Sequence, residues 1–428
     1  MPIRGAWRDF GEAASHFSLP ARRLLEGEAL LWTGAGVAQV LFNLYLAQSG
    51  FPTAVIGRAV SMMGLGVALG TIPASVLAGR WGRRPLILSG IVIDGLGQLL
   101  RLLTVWTPLV YGSSMLMGMG QSMLGVAAAP FMTEHSTPRE RTHLFTAFFA
   151  LALVAGVVGS LLGGWLPRAL TALPGLHALG LAPSYRLTLA IGALISLTGA
   201  LVFSRFRDEE VRHTSGPLFE PIPPPLRRVF RPVAVNALLI GAGAGLVIPF
   251  MNLYFAQRFN CSSAQIGSFY SVAQVLTAAA AMLGPALARR FGKLRTSVVA
   301  QLASLPFLVT LGVENRLSVA VAAFLARATL MQASTPLLNT FIMEALPAKL
   351  RATATGMINL LWNVGWAVSA TLAGAAIERW GYGPTFATTA TLYASAALYF
   401  YLSFRGSHEG GEAPRLTQEV SGQRADVP

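Results

Sequence analysis

Charge is scarce in this sequence. Asp, Glu, Lys and Arg make up 12% of its 428 residues, hydrophobic types make up 54%, and the mean hydropathy is +0.57. Water-soluble domains carry about 25% charged residues. A soluble globular protein is therefore excluded, because it would lack the polar surface to stay dispersed. Cysteine is nearly absent: the single Cys261 rules out an intrachain disulfide and leaves the redox compartment unmarked. No Gly-x-x-x-x-Gly-Lys-Ser/Thr loop occurs, so ATP is not the direct energy source. The six histidines are scattered, with His143, His177 and His213 near predicted loops, and neither a cysteine pair nor a His/Glu metal helix accompanies them. No metal and no cofactor are expected. A nucleophile elbow is missing as well, and the chain does not read as an enzyme.

Long apolar runs are what the sequence has instead. A transmembrane helix needs about 20 mostly apolar residues. Twelve stretches qualify: 27–48, 54–79, 85–104, 107–133, 142–167, 184–204, 232–257, 264–288, 295–313, 317–343, 352–377 and 384–404. Gly and Pro inside many of them are ordinary in lipid-embedded bundles. The expected fold is an all-α membrane protein with twelve transmembrane helices, multi-pass in the lipid bilayer and monomeric.

The net charge of +14 does not point to nucleic acid, because the basic residues sit in short gaps between apolar runs with no room for a basic domain. Twelve spans put both termini on one side. That side holds 24 of the 32 lysines and arginines. The other holds six: Arg58, Arg168, Arg186, Arg258, Arg316 and Arg379. The positive-inside rule then makes both termini cytoplasmic, in the cytoplasmic (inner) membrane. Met1 to Arg23 lacks an apolar core with a cleavage site, so it reads as a cytoplasmic amphipathic lead-in rather than a signal peptide.

The longest polar break, 205–231, holds Asp208, Glu209, Glu210 and prolines including Pro221, Pro223, Pro224 and Pro225, and reads as a cytoplasmic linker. It separates bundles at 27–204 and 232–404, preceded by a segment at 1–26 and followed by a disordered tail at 405–428. The two bundles repeat one another. Asn43-Leu-Tyr-Leu-Ala-Gln48 parallels Asn252-Leu-Tyr-Phe-Ala-Gln257 at an offset of 209. At 210, Arg80-Trp-Gly82-Arg83 aligns with Arg290-Phe-Gly292-Lys293, Glu134 with Glu344, Arg141 with Arg351, and Gly164 with Gly374. Chance apolar similarity does not place polar and glycine matches at one offset through five helices. Two parallel six-helix repeats are an architecture of secondary transporters.

Ser75-Val-Leu-Ala-Gly79-Arg80-Trp-Gly82-Arg83-Arg84 resembles the loop signature between the second and third helices of the major facilitator superfamily. That resemblance implies two pseudo-twofold-related six-helix bundles, alternating access by rocking, and a small-molecule substrate bound between the halves near mid-membrane. The pattern departs at Ser75, where the family has Gly, and at Gly79, where it has Asp. Glu134 and Glu344 are the candidates for the missing acid of the cytoplasmic gate. Their expected partners are Arg80/Arg83/Arg84 and Arg289/Arg290/Lys293, with Gly82, Arg141, Gly292 and Arg351 completing the gate loops; the other reading is solvated topology charge. Gly159-Ser160-Leu-Leu-Gly163-Gly164 resembles a segment of antiporter branches, and equally suits plain helix packing.

Ionisable groups at mid-depth are costly and usually functional. Of the 18 acids, only Asp94 is expected mid-span, about 15 Å past Arg84 at 1.5 Å per residue. It is the proton-coupling candidate, or else one member of a polar seam with Gln98 and Arg101. Arg327, roughly 16 Å past Arg316, is the charged candidate in the substrate cavity, or else a structural partner for carbonyls. Gln39, Asn43, Gln121, Asn252, Gln274 and Gln332 supply neutral polar lining, with Asn359, Asn363 and Trp362 from the eleventh span. The functional expectation is proton-coupled efflux of hydrophobic or amphipathic compounds. The alternatives are uptake or exchange of an organic anion, and an uncoupled receptor or lipid-translocating protein on the same scaffold.

Overall fold

The structure is a computed structural model that describes residues 17–103, 106–175, 180–205, 227–347 and 350–405. The expected lead-in before residue 17, most of the linker and nearly all of the tail lie outside the described residues. Those described are helical, without a strand. The helices are α1 (Leu19–Gln48), α2 (Thr53–Trp81), α3 (Arg83–Leu100), α4 (Thr107–Glu134), α5 (Pro138–Ala172) and α6 (Leu181–Ser204). They continue with α7 (Arg227–Val247), α8 (Met251–Phe259), α9 (Ser263–Phe291), α10 (Lys293–Val313), α11 (Leu317–Glu344), α12 (Arg351–Trp380) and α13 (Tyr382–Phe404).

The seventh expected span is broken. Pro249 sits in a 3₁₀ turn, Ile248–Phe250, that separates α7 from α8. Taking those two together, ten segments among the described residues are long and apolar enough to cross a membrane. The other two are polar for local reasons: α3 carries Arg83, Arg84 and Asp94 within 18 residues, and α13 is rich in threonine and tyrosine.

Helix ends follow local capping chemistry. Ser18 caps α1, with Pro20 in the first turn, so the helix starts eight residues before the expected 27. Thr137 and Glu140 form a reciprocal capping box that starts α5 at Pro138. Gly82 and Gly292, matched by the repeat, each turn the chain at positive φ, 84° and 83°, between two helices. A side chain there would be strained.

The chain divides into two compact units: Met1–Gly216 with Asn252–Val272, and Pro217–Met251 with Ala273–Pro428. The division departs from the bundles read from sequence in one respect, because α8 and the start of α9 pack with the first unit. In that unit α1 lies against α5 and α6, and α4 against α2 and α3. Small residues set the spacing: a Cβ on Gly34 of α1 would sit 2.4 Å from the Gly192 carbonyl of α6. An apolar core forms at the Gly82 end around Leu24, Leu86, Phe131, Leu144 and Phe203. In the second unit α7 lies against α12 and α13, and α10 against α11 and α13. Its core gathers Phe230, Leu294, Phe341, Ala397 and Phe400.

Candidate functional site

The first unit buries a polar cluster on α1, α3 and α4. Asp94 is 2% exposed. Its Oδ2 accepts from Gln98 Nε2 at 2.6 Å and its Oδ1 from Gln121 Nε2 at 3.3 Å. Arg101 follows on the same helix face, as i, i+4, i+7 spacing requires. Its guanidinium lies over the Phe42 ring at 3.7 Å, within electrostatic reach of Asp94. The carboxylate thus ties α3 to α4 while the arginine ties α3 to α1.

One acid of this cluster was not expected. Glu28 is the tenth residue of α1 and is buried, so Asp94 is not alone in depth. Trp32, one turn further along α1, and Asp94 both lie within electrostatic reach of Glu28. Starting the span at 27 had put Glu28 at the membrane edge; the signal that corrects this is Ser18-Leu19-Pro20, an N-cap followed by a first-turn proline. Measured from the starts of their helices, Glu28 and Asp94 lie at similar depths, roughly 13–17 Å.

The expected cavity residues separate into several groups. Asn43 and Asn252, partners in the repeat, meet each other inside the first unit: Asn43 Nδ2 donates to Asn252 Oδ1 at 3.3 Å. Asn252 Nδ2 in turn donates to the carbonyls of Gln39 and Val40. Both asparagines are buried, whereas the Gln39 side chain is exposed. The same seam continues where a Cβ on Gly164 would lie 2.9 Å from the Ser263 carbonyl and 3.0 Å from Gly267 Cα. The small residues Gly159, Gly163 and Gly164 of α5 therefore serve close packing on α1 and α9. Replacing Asn252 by Ala is expected to loosen this seam. Cys261, the sole cysteine and buried beside it in sequence, should then react severalfold faster with a maleimide than in the wild type. An unchanged rate would mean the seam does not depend on that amide.

In the second unit, Arg327 is buried on the α11 face that also buries Ala320, Ala323, Phe324, Met331 and Ser334. Its Nη2 donates to Tyr393 Oη at 3.2 Å. Gln332, five residues on and about 140° around the helix, is exposed. These two side chains do not share a lining. Gln274 is half-buried on α9. On α12, Asn363 donates to the Asn359 carbonyl at 2.8 Å, and Trp362 stacks on Trp366 with ring centroids 4.9 Å apart. Gly241 and Gly245 of α7 receive the backbone at these tryptophans, since a Cβ on them would lie within 2.5 Å of the Trp362 and Trp366 carbonyls.

At the Gly82 end, Arg83 pairs with Glu134; at the Gly292 end, Lys293 pairs with Glu344. Both pairs span 51 residues. Arg84 instead caps α6 through the Ser204 carbonyl at 3.0 Å. Arg80 is exposed and Arg290 lies over the Phe291 ring. Arg141 and Arg351 each hold a backbone carbonyl, of Thr133 and Leu346, at 3.2 Å. Among the described residues no group of three metal-ligating side chains occurs.

A helical scaffold built twice, with buried charges in the apolar part of each unit, defines a polytopic transporter rather than an enzyme. The family description Major Facilitator Superfamily matches residues 27–370 and 233–424. The chain belongs to that superfamily and is a secondary transporter of its fold. Among curated proteins, it is similar to the multidrug resistance protein MdtH of Aeromonas salmonicida (strain A449), 27% identical over 135 residues. That match spans 28% of this chain and 31% of that protein. Among solved structures, a bacterial homolog of the human lysosomal transporter Spinster superimposes with TM-score 0.72 at 16% identity, covering 90% of this chain and 96% of that one. A D-xylose–proton symporter does so with TM-score 0.71 at 14% identity, covering 89% and 97%. At these identities the two structures share the fold alone.

Proposed function

We propose that this transporter exports hydrophobic or amphipathic compounds in exchange for protons, with Asp94 as the proton carrier. The observation that carries the reading is the pairing of a buried carboxylate with two primary amides. A glutamine amide can donate through nitrogen to an ionised carboxylate or accept through oxygen from a protonated one. Gln98 and Gln121 can therefore satisfy Asp94 in both protonation states. Glu28 adds a like charge within reach, which makes the doubly ionised state costly, while Arg101 offsets one charge only. The partial likeness to a multidrug resistance protein supports export. Proteoliposomes with an imposed pH gradient and a lipophilic dye test the reading: export is expected only when the gradient runs against it, and its absence removes the proposal.

Arg83–Glu134 and Lys293–Glu344 are read as gate pairs at the cytoplasmic face, with both termini on that side. These pairs are half-exposed, so each contributes only about 0.2–1 kcal/mol to stability. Glu134→Gln should therefore leave the melting temperature nearly unchanged yet slow dye flux about tenfold, since one face of the cycle loses its latch. Flux equal to wild type would remove the gating role. A second reading, uptake or exchange of an organic anion, is favoured by the buried Arg327. Gradient-driven accumulation of a carboxylate in the same vesicles, without dye export, would select it.

A further inference from the structure

Two arginines are buried, one at the C-terminal end of α3 and one within α11, and they differ in counter-charge. Each lies over an aromatic ring, Arg101 over Phe42 at 3.7 Å and Arg327 over Tyr393 at 5.8 Å. Each has a buried Nε with no acceptor among the described residues. Arg101 alone has a carboxylate, Asp94, within electrostatic reach. Arg327 is 5% exposed, yet among the described residues no Asp or Glu lies within ion-pair distance of it. Its Nε is buried with no hydrogen-bond acceptor. A desolvated guanidinium without a counter-charge is among the costliest groups a helical membrane protein can hold.

Its neighbour is built with care. The Tyr393 ring is fully buried against Gly243 of α7, where a Cβ would approach Cε1 to 2.6 Å. Thr389 Oγ1 donates to the Gly243 carbonyl at 3.1 Å and fixes α13 against α7 at that level. Because Tyr393 Oη accepts from Arg327 Nη2, its own proton remains to be donated. The Arg327 Nε–H and the Tyr393 O–H are then two donors around one positive charge. Nothing in the scaffold demands them: 210 residues earlier stand Met117 and Pro183.

We infer that Arg327 and Tyr393 hold a small monovalent anion, of the halide, nitrate or carboxylate class, inside the second unit as counter-ion to the buried guanidinium. Such an anion accepts from both donors and neutralises the single charge; a divalent or bulky oxyanion would replace one uncompensated charge by another. The inference does not depend on the proton-coupled export reading, and it deepens the organic-anion reading by naming the residues that would hold the charge.

The test uses the full-length protein in detergent, unfolded thermally while bromide, nitrate, acetate or benzoate replaces sulfate at constant ionic strength. A ligand of the folded state raises the melting temperature in a saturable way. Wild type is expected to show such a rise of several degrees, with the midpoint concentration about tenfold higher in Tyr393→Phe and the rise lost in Arg327→Gln. Comparing variants in the same salts cancels general salt effects. Saturation by bromide and nitrate assigns the site to a dissolved inorganic ion, and saturation by carboxylates alone assigns it to the head of an organic solute. Either outcome supports the site. A wild-type response that is flat, or unsaturable and equal in both variants, overturns it. If Arg327→Gln cannot be recovered folded, Tyr393→Phe decides alone, since its ring keeps the seat on Gly243.

Discussion

Asp94→Asn should abolish proton-driven transport while leaving substrate binding and energy-independent exchange intact. Asparagine has nearly the shape of aspartate and can still hydrogen-bond to Gln98 and Gln121, which hold the native side chain at 2.6 and 3.3 Å. What it cannot do is take up and release a proton. Removing an essential proton-transfer group lowers rates by about two to four orders of magnitude, so gradient-driven flux should fall by at least about 100-fold. Counterflow of labelled substrate, which needs no net proton movement, should stay within about twofold of wild type. Both are read in the same proteoliposomes. Driven flux that survives the substitution would move the coupling role elsewhere, with Glu28 the next residue to replace.

Gly118→Ala should destabilise the protein more than any other single-methyl change on α4. A Cβ there would meet the Met63 carbonyl oxygen at 2.0 Å, Val67 N at 2.8 Å and Gly66 Cα at 3.0 Å, all backbone atoms of α2. No rotamer change relieves a contact with backbone, so the two helices must part. Overpacking a well-filled interior typically costs about 1–3 kcal/mol, and this contact lies at or beyond the upper end. The same helix supplies its own control. Gly112 and Gly125 have nothing within 4 Å of an added Cβ, and alanine there removes about 1 kcal/mol of helix penalty. Gly118→Ala should therefore lower the melting temperature or the recovery of folded protein, whereas Gly112→Ala and Gly125→Ala should match or exceed wild type. Equal melting of all three would show that α2 and α4 are not held at backbone contact.

The polar ends of the helices were legible because they depend on short-range chemistry. Gly82 and Gly292 turn the chain where the repeat aligned them, and Glu134 and Glu344 find a cation in the matching loops; Lys293 rather than Arg290 is the one chosen. Buried groups were less legible. Glu28 was hidden by a helix start set by hydropathy instead of by the Ser18 cap. Arg327 and Gln332 were both assigned to the cavity, although five residues of helix turn them to different faces. Asn43 and Asn252 had each been read as lining, but they bond to one another, an outcome that depends on how α1 and α8 approach.

The bilayer explains the division. It demands about twenty apolar residues per crossing and basic residues on one side, requirements that each run of sequence meets independently, so span number, fold class and the internal repeat are written along the chain. Which polar side chains meet depends on the rotation and spacing of whole helices. Those are set by backbone contacts at Gly34, Gly118, Gly164 and Gly241, between residues far apart in sequence. Only the assembled packing therefore brought the Gln121 amide to Asp94 and, among the described residues, left Arg327 beside Tyr393 without an acid.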